Sequence, residues 1–194
     1  MVRTNEKKAK CKENILTDDE KKQLLATAKK PEEILLIYGL LYTGMRINEF
    51  VHFKKEWMTD KFIIIPEKQP CKCYECKKEG AWTPKTKSSI RKIPLLPEAK
   101  ELFIEYFKNY NSINEVIQNR VNAWRILRRI GKKAKILHKV HPHCLRATFA
   151  TTLAEKDFNG FEITGILGWS SFDTANEYIK LTGKAILKAV EDKW

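Results

Sequence analysis

The first 14 residues, MVRTNEKKAKCKEN, carry Arg3, Lys7, Lys8, Lys10 and Lys12 with almost nothing to bury, which predicts a flexible basic arm over 1–14. Ordered structure is expected from Thr17. There T-D-D-E puts a hydroxyl at a helix N-cap and Glu20 at the third helical position, with Asp18 and Asp19 beside the positive end of the helix. These acids are explained as a capping box and make a poor metal cluster. Pro31 suits the first turn of a second helix, PEEILLIYGLLY, which Thr43-Gly44 interrupts before a further helical stretch, MRINEFVHF. KFIIIPE is short and β-branched and reads as a strand, and SSIRKIPL reads as a second. Residues 67–84 between them hold Cys71, Cys73, Cys76, Gly80 and two prolines, so the pair is expected to form a hairpin with an enlarged, Cys-rich loop. From Pro97 the pattern is helical: PEAKELFIEYFKN, INEVIQNRVNAWRILRRIGKKAK and PHCLRATFATTLAEK, then three short helices ending in KAILKAVEDKW. The middle segment puts Ile113, Ile117, Val121, Trp124 and Leu127 on one stripe at helical spacings. The predicted fold class is α+β, mainly α-helical with a small antiparallel sheet, in one domain over 15–194.

Composition narrows the partner. The 194 residues include 37 Lys+Arg against 24 Asp+Glu, a formal charge of +13 and a pI near 9.5. An apolar fraction of 43% with five Trp, six Tyr and nine Phe is enough for a real core and argues against low-complexity disorder. No apolar run approaches the ~18–20 residues of a membrane span, and no apolar signal segment follows the basic start. The expectation is a soluble, cytoplasmic protein with nucleic acid as its partner and no membrane. Arg125, Arg128 and Arg129, with Arg120, Lys132 and Lys133, are either a solvated helix face or a track for a phosphate backbone.

Four segments stand out together: Thr43-Gly44-Met45-Arg46-Ile47-Asn48-Glu49-Phe50; Pro84-Lys85-Thr86; His141-Pro142-His143-Cys144-Leu145-Arg146; and Ile166-Leu167-Gly168-Trp169-Ser170-Ser171 followed by Tyr178. In this order the chain resembles the catalytic domain of the tyrosine recombinases, the phage integrase family. That family has an Arg after a T-G turn, a Lys on a β-hairpin, an H-x-x-R opening a helix, and L-G-H-S-S before a Tyr. The family spacing from that His to the Tyr is nine positions, as from Trp169 to Tyr178 here. Either T-G-x-R or H-x-x-R alone would be weak; the four in order are specific. The resemblance spans about residues 15–183, and the Cys loop running into G-A-W-T-P-K-T is similar to integrases of archaea and their viruses.

The resemblance implies metal-free cleavage and rejoining of DNA strands through a 3′-phosphotyrosyl link, with self-association on double-stranded DNA as a tetrameric synapse. Such chemistry needs a nucleophile, cations for the charge that builds on phosphorus, and a proton for the leaving 5′ oxygen. Tyr178 takes the first role; its phenol, with an ordinary pKa near ~10, needs a base or a strongly positive site. Arg46 and Arg146 would hold the non-bridging oxygens with planar guanidinium forks. Lys85 is the preferred general acid because K-T-x-x-S-x-R-x-x-P runs from Lys85 to Pro94, with Lys87, expected on the same strand face, as rival and DNA contact. His143 would act as acid, base or phosphate donor, and Glu49 would orient Arg46 or His143. Trp169 stands where the family usually has His; its indole can donate but not shuttle a proton, so it is assigned to phosphate binding and packing around Tyr178. The alternatives are a type IB topoisomerase-like relaxing activity, or a DNA-binding protein that keeps the fold without cleaving, which Trp169 would favour.

Cys71, Cys73 and Cys76 form C-x-C-x-x-C. A structural zinc takes four ligands, and Cys11 or His52 would have to complete the site; the other reading is unliganded thiols in a loop made basic by Lys68, Lys72, Lys77 and Lys78. No cofactor is expected for catalysis itself. The family's separate N-terminal core-binding domain is not expected in this sequence, which predicts weak, salt-sensitive DNA binding.

Overall fold

The computed structural model describes residues 15–183 with Leu187, Val190 and Glu191; the basic arm of 1–14 and most of the C-terminal KAILKAVEDKW lie outside the described residues. The chain folds as helix α1 (Asp18–Thr27), α2 (Pro31–Thr43) and α3 (Ile47–Val51), then strands β1 (Phe62–Ile65), β2 (Gln69–Pro70), β3 (Ala81–Trp82) and β4 (Arg91–Pro94). It continues with α4 (Pro97–Asn109), α5 (Asn114–Ile117), α6 (Arg120–Lys133), α7 (Pro142–Glu155), α8 (Gly160–Leu167) and α9 (Phe172–Thr182). The mainly helical α+β architecture expected from the sequence is what forms.

The local signals operate as chemistry requires. Thr17 Oγ1 accepts the Glu20 N–H at 3.2 Å while Glu20 returns a carboxylate oxygen to the Thr17 N–H at 2.9 Å. Pro31 occupies the first turn of α2, where its missing N–H costs nothing. β1 and β4 pair antiparallel with Ile63 opposite Ile93 and Ile65 opposite Arg91, so the buried isoleucines face the helices and Arg91 comes off the sheet at its inner end. Between them the 67–84 segment makes its own two-residue ladder, Gln69 opposite Trp82 and Pro70 opposite Ala81.

Two expectations are corrected. The second strand is shorter than SSIRKIPL: Lys87–Ser89 form a 3-10 turn, and Lys85 and Lys87 precede β4 instead of sharing a strand face. The long Arg-rich helix is also broken. Gln118 has φ 67°, Asn119 caps α6 by accepting the Asn122 N–H, and the break resets the helical phase. Val121 and Trp124 are therefore 57% and 46% exposed, and α6 buries Ala123, Ile126, Leu127 and Ile130 instead.

The main core gathers α2, α3, α4, α6 and the inner face of β1, centred on Phe50, Phe53, Phe103 and the α2 leucines. A smaller cluster, Phe149, Leu153, Ile163, Leu167 and Ala175, joins α7, α8 and α9, with Trp169 and Tyr178 packed on its edge.

Candidate active site

Arg46 is the N-cap of α3. Its own N–H donates to Glu49 Oε2 at 2.9 Å, and its guanidinium Nη1 donates to Glu49 Oε1 at 2.9 Å and to Ser89 Oγ at 3.0 Å. The three-residue spacing puts both groups on one helix face, as the sequence suggests. Glu49 does not turn to His143. Its second partner is Arg91, which clasps the carboxylate at 3.1 and 2.9 Å. Burial alone would raise the Glu49 pKa; Arg91, Arg146 and the Arg46 backbone N–H overcome it and hold the carboxyl below its usual range. Arg91 sits in the Lys85–Pro94 frame, but no local motif marks it as a partner of Glu49.

Arg146 enters from α7, whose N-cap is His141, accepting the Cys144 N–H at 3.3 Å. Arg146 is almost fully buried and donates to the carbonyls of Gly44 and Leu167. Burial, then Arg91 and Arg46, push its pKa down to about 9, which leaves it charged at neutral pH. The end of α8 organises all three arginines. Arg91 Nε donates to Ile166 O at 2.7 Å, Arg146 to Leu167 O, and Arg46 Nη2 to Gly168 O at 2.7 Å. A helix C-terminus has unsatisfied carbonyls and negative polarity, so three successive carbonyls there seat three guanidiniums.

Two glycines make the approach possible. Gly44 (φ 58°) and Gly168 (φ 63°) are both left-handed; a Cβ on Gly44 would lie 2.4 Å from Phe149 Cδ1, and one on Gly168 2.7 Å from the Ser88 carbonyl oxygen. The T-G and L-G pairs of the sequence are thus the two helix ends whose carbonyls Arg146 spans.

Immediately after Gly168, Trp169 stacks on Tyr178 with ring centroids 5.4 Å apart and planes at 11°, and the Arg146 guanidinium lies 5.6 Å from the indole centroid. Tyr178 is half-buried on α9 and acts electrostatically on Arg146. His143, one turn before Arg146 on α7, keeps an exposed edge; partial desolvation, then Arg146, Arg46 and Lys85, lower its pKa below the ordinary histidine value. A neutral imidazole there can accept a proton. Lys85 is exposed on the link between β3 and β4, and that link is docked by Ser89, which receives Arg46, and by Thr86, whose hydroxyl lies 2.9 Å from the Ser89 hydroxyl. Lys85, Arg46 and Arg146 act electrostatically on His143, and Tyr178 on Arg146, so cations, a phenol, a neutral base and an exposed amine lie near one another.

The phage integrase family model matches residues 14–184. The chain belongs to the phage integrase family. Among relatives in that family, the tyrosine recombinase XerA of Pyrococcus furiosus is 30% identical over 196 residues, covering 91% of this chain and 60% of the relative. XerA of Thermococcus kodakarensis is 30% identical over 187 residues, with 91% and 61% covered. The chain thus spans about 60% of the length of the curated relatives it matches. The crystal structure of XerA recombinase superposes with a TM-score of 0.69 at 23% identity, over 92% of this chain and 62% of that one. The Tn1549 transposon integrase in complex with transposon right end DNA gives a TM-score of 0.69 at 24% identity, over 84% and 60%. These neighbours show the fold of the integrase family.

The basic positions outside the site divide. Arg129 donates to the buried Glu33 at 2.9 Å, Arg128 lies 5.0 Å over the Trp124 ring, and Arg125 lines the open groove between α6 and the Cys loop. None of Arg46, Arg91, Arg146 and Tyr178 lines that groove. Cys71, Cys73 and Cys76 come together with His52, not with Cys144, which is packed in the core. No helix of the described residues is long and apolar enough to cross a membrane.

Proposed function

We propose that this chain cleaves and rejoins DNA strands as the catalytic part of a site-specific recombinase. The observation that carries the reading is the seating of Arg46 and Arg146 on the consecutive carbonyls of Gly168 and Leu167, beside a Tyr178 stacked on Trp169. One oxygen of a scissile phosphate on each guanidinium leaves phosphorus facing the phenol. Tyr178 Oη forms the new bond to phosphorus and its proton passes to neutral His143. The bond to the 5′ oxygen breaks, and that oxygen takes a proton from Lys85, leaving a 3′-phosphotyrosyl link and a free 5′-hydroxyl. Attack by a 5′-hydroxyl of another strand reverses each step and restores the phenol. Trp169 donates its N–H to the phosphate and holds the phenol flat.

The partner in this reading is double-stranded DNA, bound by several copies of the chain in a synapse, with Arg125, Arg128 and Lys87 as backbone contacts. Affinity falls steeply with salt. The chemistry runs through side chains alone; a structural zinc on Cys71, Cys73 and Cys76 belongs to the reading as a fastening.

The test is a nicked suicide DNA substrate whose cleaved end diffuses away. Wild-type protein is expected to accumulate a covalent adduct and Tyr178→Phe none. Adduct unaffected by that substitution would remove Tyr178 from the reaction. Relaxation of supercoiled DNA by lone subunits, without strand exchange, would move the assignment to a topoisomerase.

A further inference from the structure

The 67–84 segment pairs with itself only briefly. Its ladder is two residues long on each side, and Tyr74 near its tip is 95% exposed. Yet three of its thiols turn inward to one point. Cys71 and Cys76 are buried, Cys73 is half-buried, and none is in a disulfide. The fourth group there is His52, the residue that ends α3, buried at 4% exposure.

We propose that Cys71, Cys73, Cys76 and His52 bind one zinc ion that fastens the Cys arm to the end of α3. The four ligand atoms lie within 4.8 Å of one another. His52 Nε2 is 3.4 Å from Cys73 Sγ and 3.5 Å from Cys76 Sγ. With bonds of about 2.3 Å to sulfur and about 2.0–2.1 Å to nitrogen, a tetrahedron places nitrogen and sulfur about 3.5 Å apart. The cluster therefore has the size of a closed structural zinc site.

A second observation concerns the proton on the histidine. His52 Nδ1 lies 2.7 Å from the Asn48 carbonyl oxygen, which can only accept, so Nδ1 carries the hydrogen. Nε2 then presents its lone pair to the sulfurs, the arrangement by which metal-bound histidines are oriented. The ring is clamped further by Trp82, stacked at 5.5 Å, whose indole donates to Asn48 Oδ1 at 2.6 Å. The loop is shaped to match: the Cys71 N–H donates to Gly80 O at 3.0 Å, and the Cys76 N–H to Cys73 O at 3.1 Å. The groove of about 1000 Å³ lined by His52, Cys71 and Cys73 provides a path for the ion. Three thiolates and Zn²⁺ carry one net negative charge, which suits a loop rich in lysine.

The metal reading stands on this cluster; its consequence for catalysis rests on the cleavage reading. The clip ties residues 71–76 to α3, whose other end is Arg46, and Lys85 follows β3 by three residues. Metal binding would thereby set where Lys85 can reach.

Metal content is read without DNA, so its failure and the failure of the cleavage reading are separate. The full chain, purified with zinc present and dialysed, is expected to hold one zinc per chain. Cobalt(II) titrated into the metal-free protein should give the intense visible absorption of tetrahedral thiolate coordination, saturating at one per chain and bleached by zinc. Cys73→Ser with Cys76→Ser should abolish this. His52→Cys should keep one cobalt with a shifted spectrum, a control that does not depend on the double variant folding. Weak octahedral absorption, no stoichiometric zinc, or thiols shielded from alkylation until a reductant is added would overturn the proposal, the last by revealing a disulfide.

Discussion

The arginine site and the cysteine arm meet within twenty positions of chain, from Cys71 to Arg91, and they are held by different means. The first is built into the fold: Glu49, three carbonyls at the end of α8 and two left-handed glycines lock three guanidiniums with charge-assisted bonds. The second has two short strands and gathers its ligands around His52, against Trp82. The difference teaches where each can tolerate motion. Charges aimed at a phosphate need to be preorganised, because donors that must reorient at the moment of reaction lose much of their value. An amine that follows a leaving oxygen needs reach, and Lys85, the general acid of the proposed reaction, is exposed on a link docked through Thr86, Ser88 and Ser89.

That contrast can be broken most severely at Glu49. Glu49→Ala leaves Arg46 and Arg91 without a counter-charge in a buried setting and is expected to cost about 3–5 kcal/mol of stability, read by denaturant unfolding. A loss under 1 kcal/mol, roughly what an exposed pair is worth, would show that the lock is not rigid. Next is Arg46→Ala, expected to slow adduct formation by about 10²–10³-fold, the typical loss of one transition-state donor. A rate near wild type would show that the arginine is structural only. Gly168→Ala forces a Cβ into a left-handed residue against the Ser88 carbonyl. It is expected to cost about 1–2 kcal/mol from backbone strain alone, seen as a lower Tm, with more from the contact.

The smallest effect is on pH. His141 and His143 both have lowered pKa values, burial first and neighbouring cations after, so the unfolded chain takes up protons at a pH where the folded one does not. Stability from these groups is complete above the ordinary histidine value of about 6.5 and is lost as pH falls toward the folded values. Tm should decline between about pH 7 and pH 5, and His143→Gln should flatten part of that decline. The acid limb of the cleavage rate should lie below 6.5, roughly the unperturbed value, because His143 stays neutral to lower pH.

Much of this site was legible in the sequence because its parts are local. T-G, H-x-x-R and L-G-W each encode a helix end and the side chain beside it, and the capping box at Thr17 and the hairpin strands follow from spacing. What the sequence did not reveal depends on distance in the chain. Arg91 meets Glu49 across 42 residues, and the carbonyls that seat the arginines carry no side-chain signature. His52 stood beside Cys11 as a candidate fourth ligand; the fold brings His52 to the three thiols, while Cys11 lies outside the described residues. The α6 stripe failed for a local reason: periodicity is counted across a segment, and one residue with positive φ at Gln118 changes the phase for everything after it.

In the proposed reaction Tyr178 is the nucleophile presented to the Arg46–Arg146 pair. The most direct measurement of that role is the identity of the residue joined to DNA. Covalent adduct formed on a suicide substrate is trimmed with nuclease, digested with protease and sequenced by mass spectrometry. The predicted result is a nucleotide attached through its 3′ phosphate to the peptide that contains Tyr178. Attachment at any of the other five tyrosines, or through a 5′ phosphate, would contradict it.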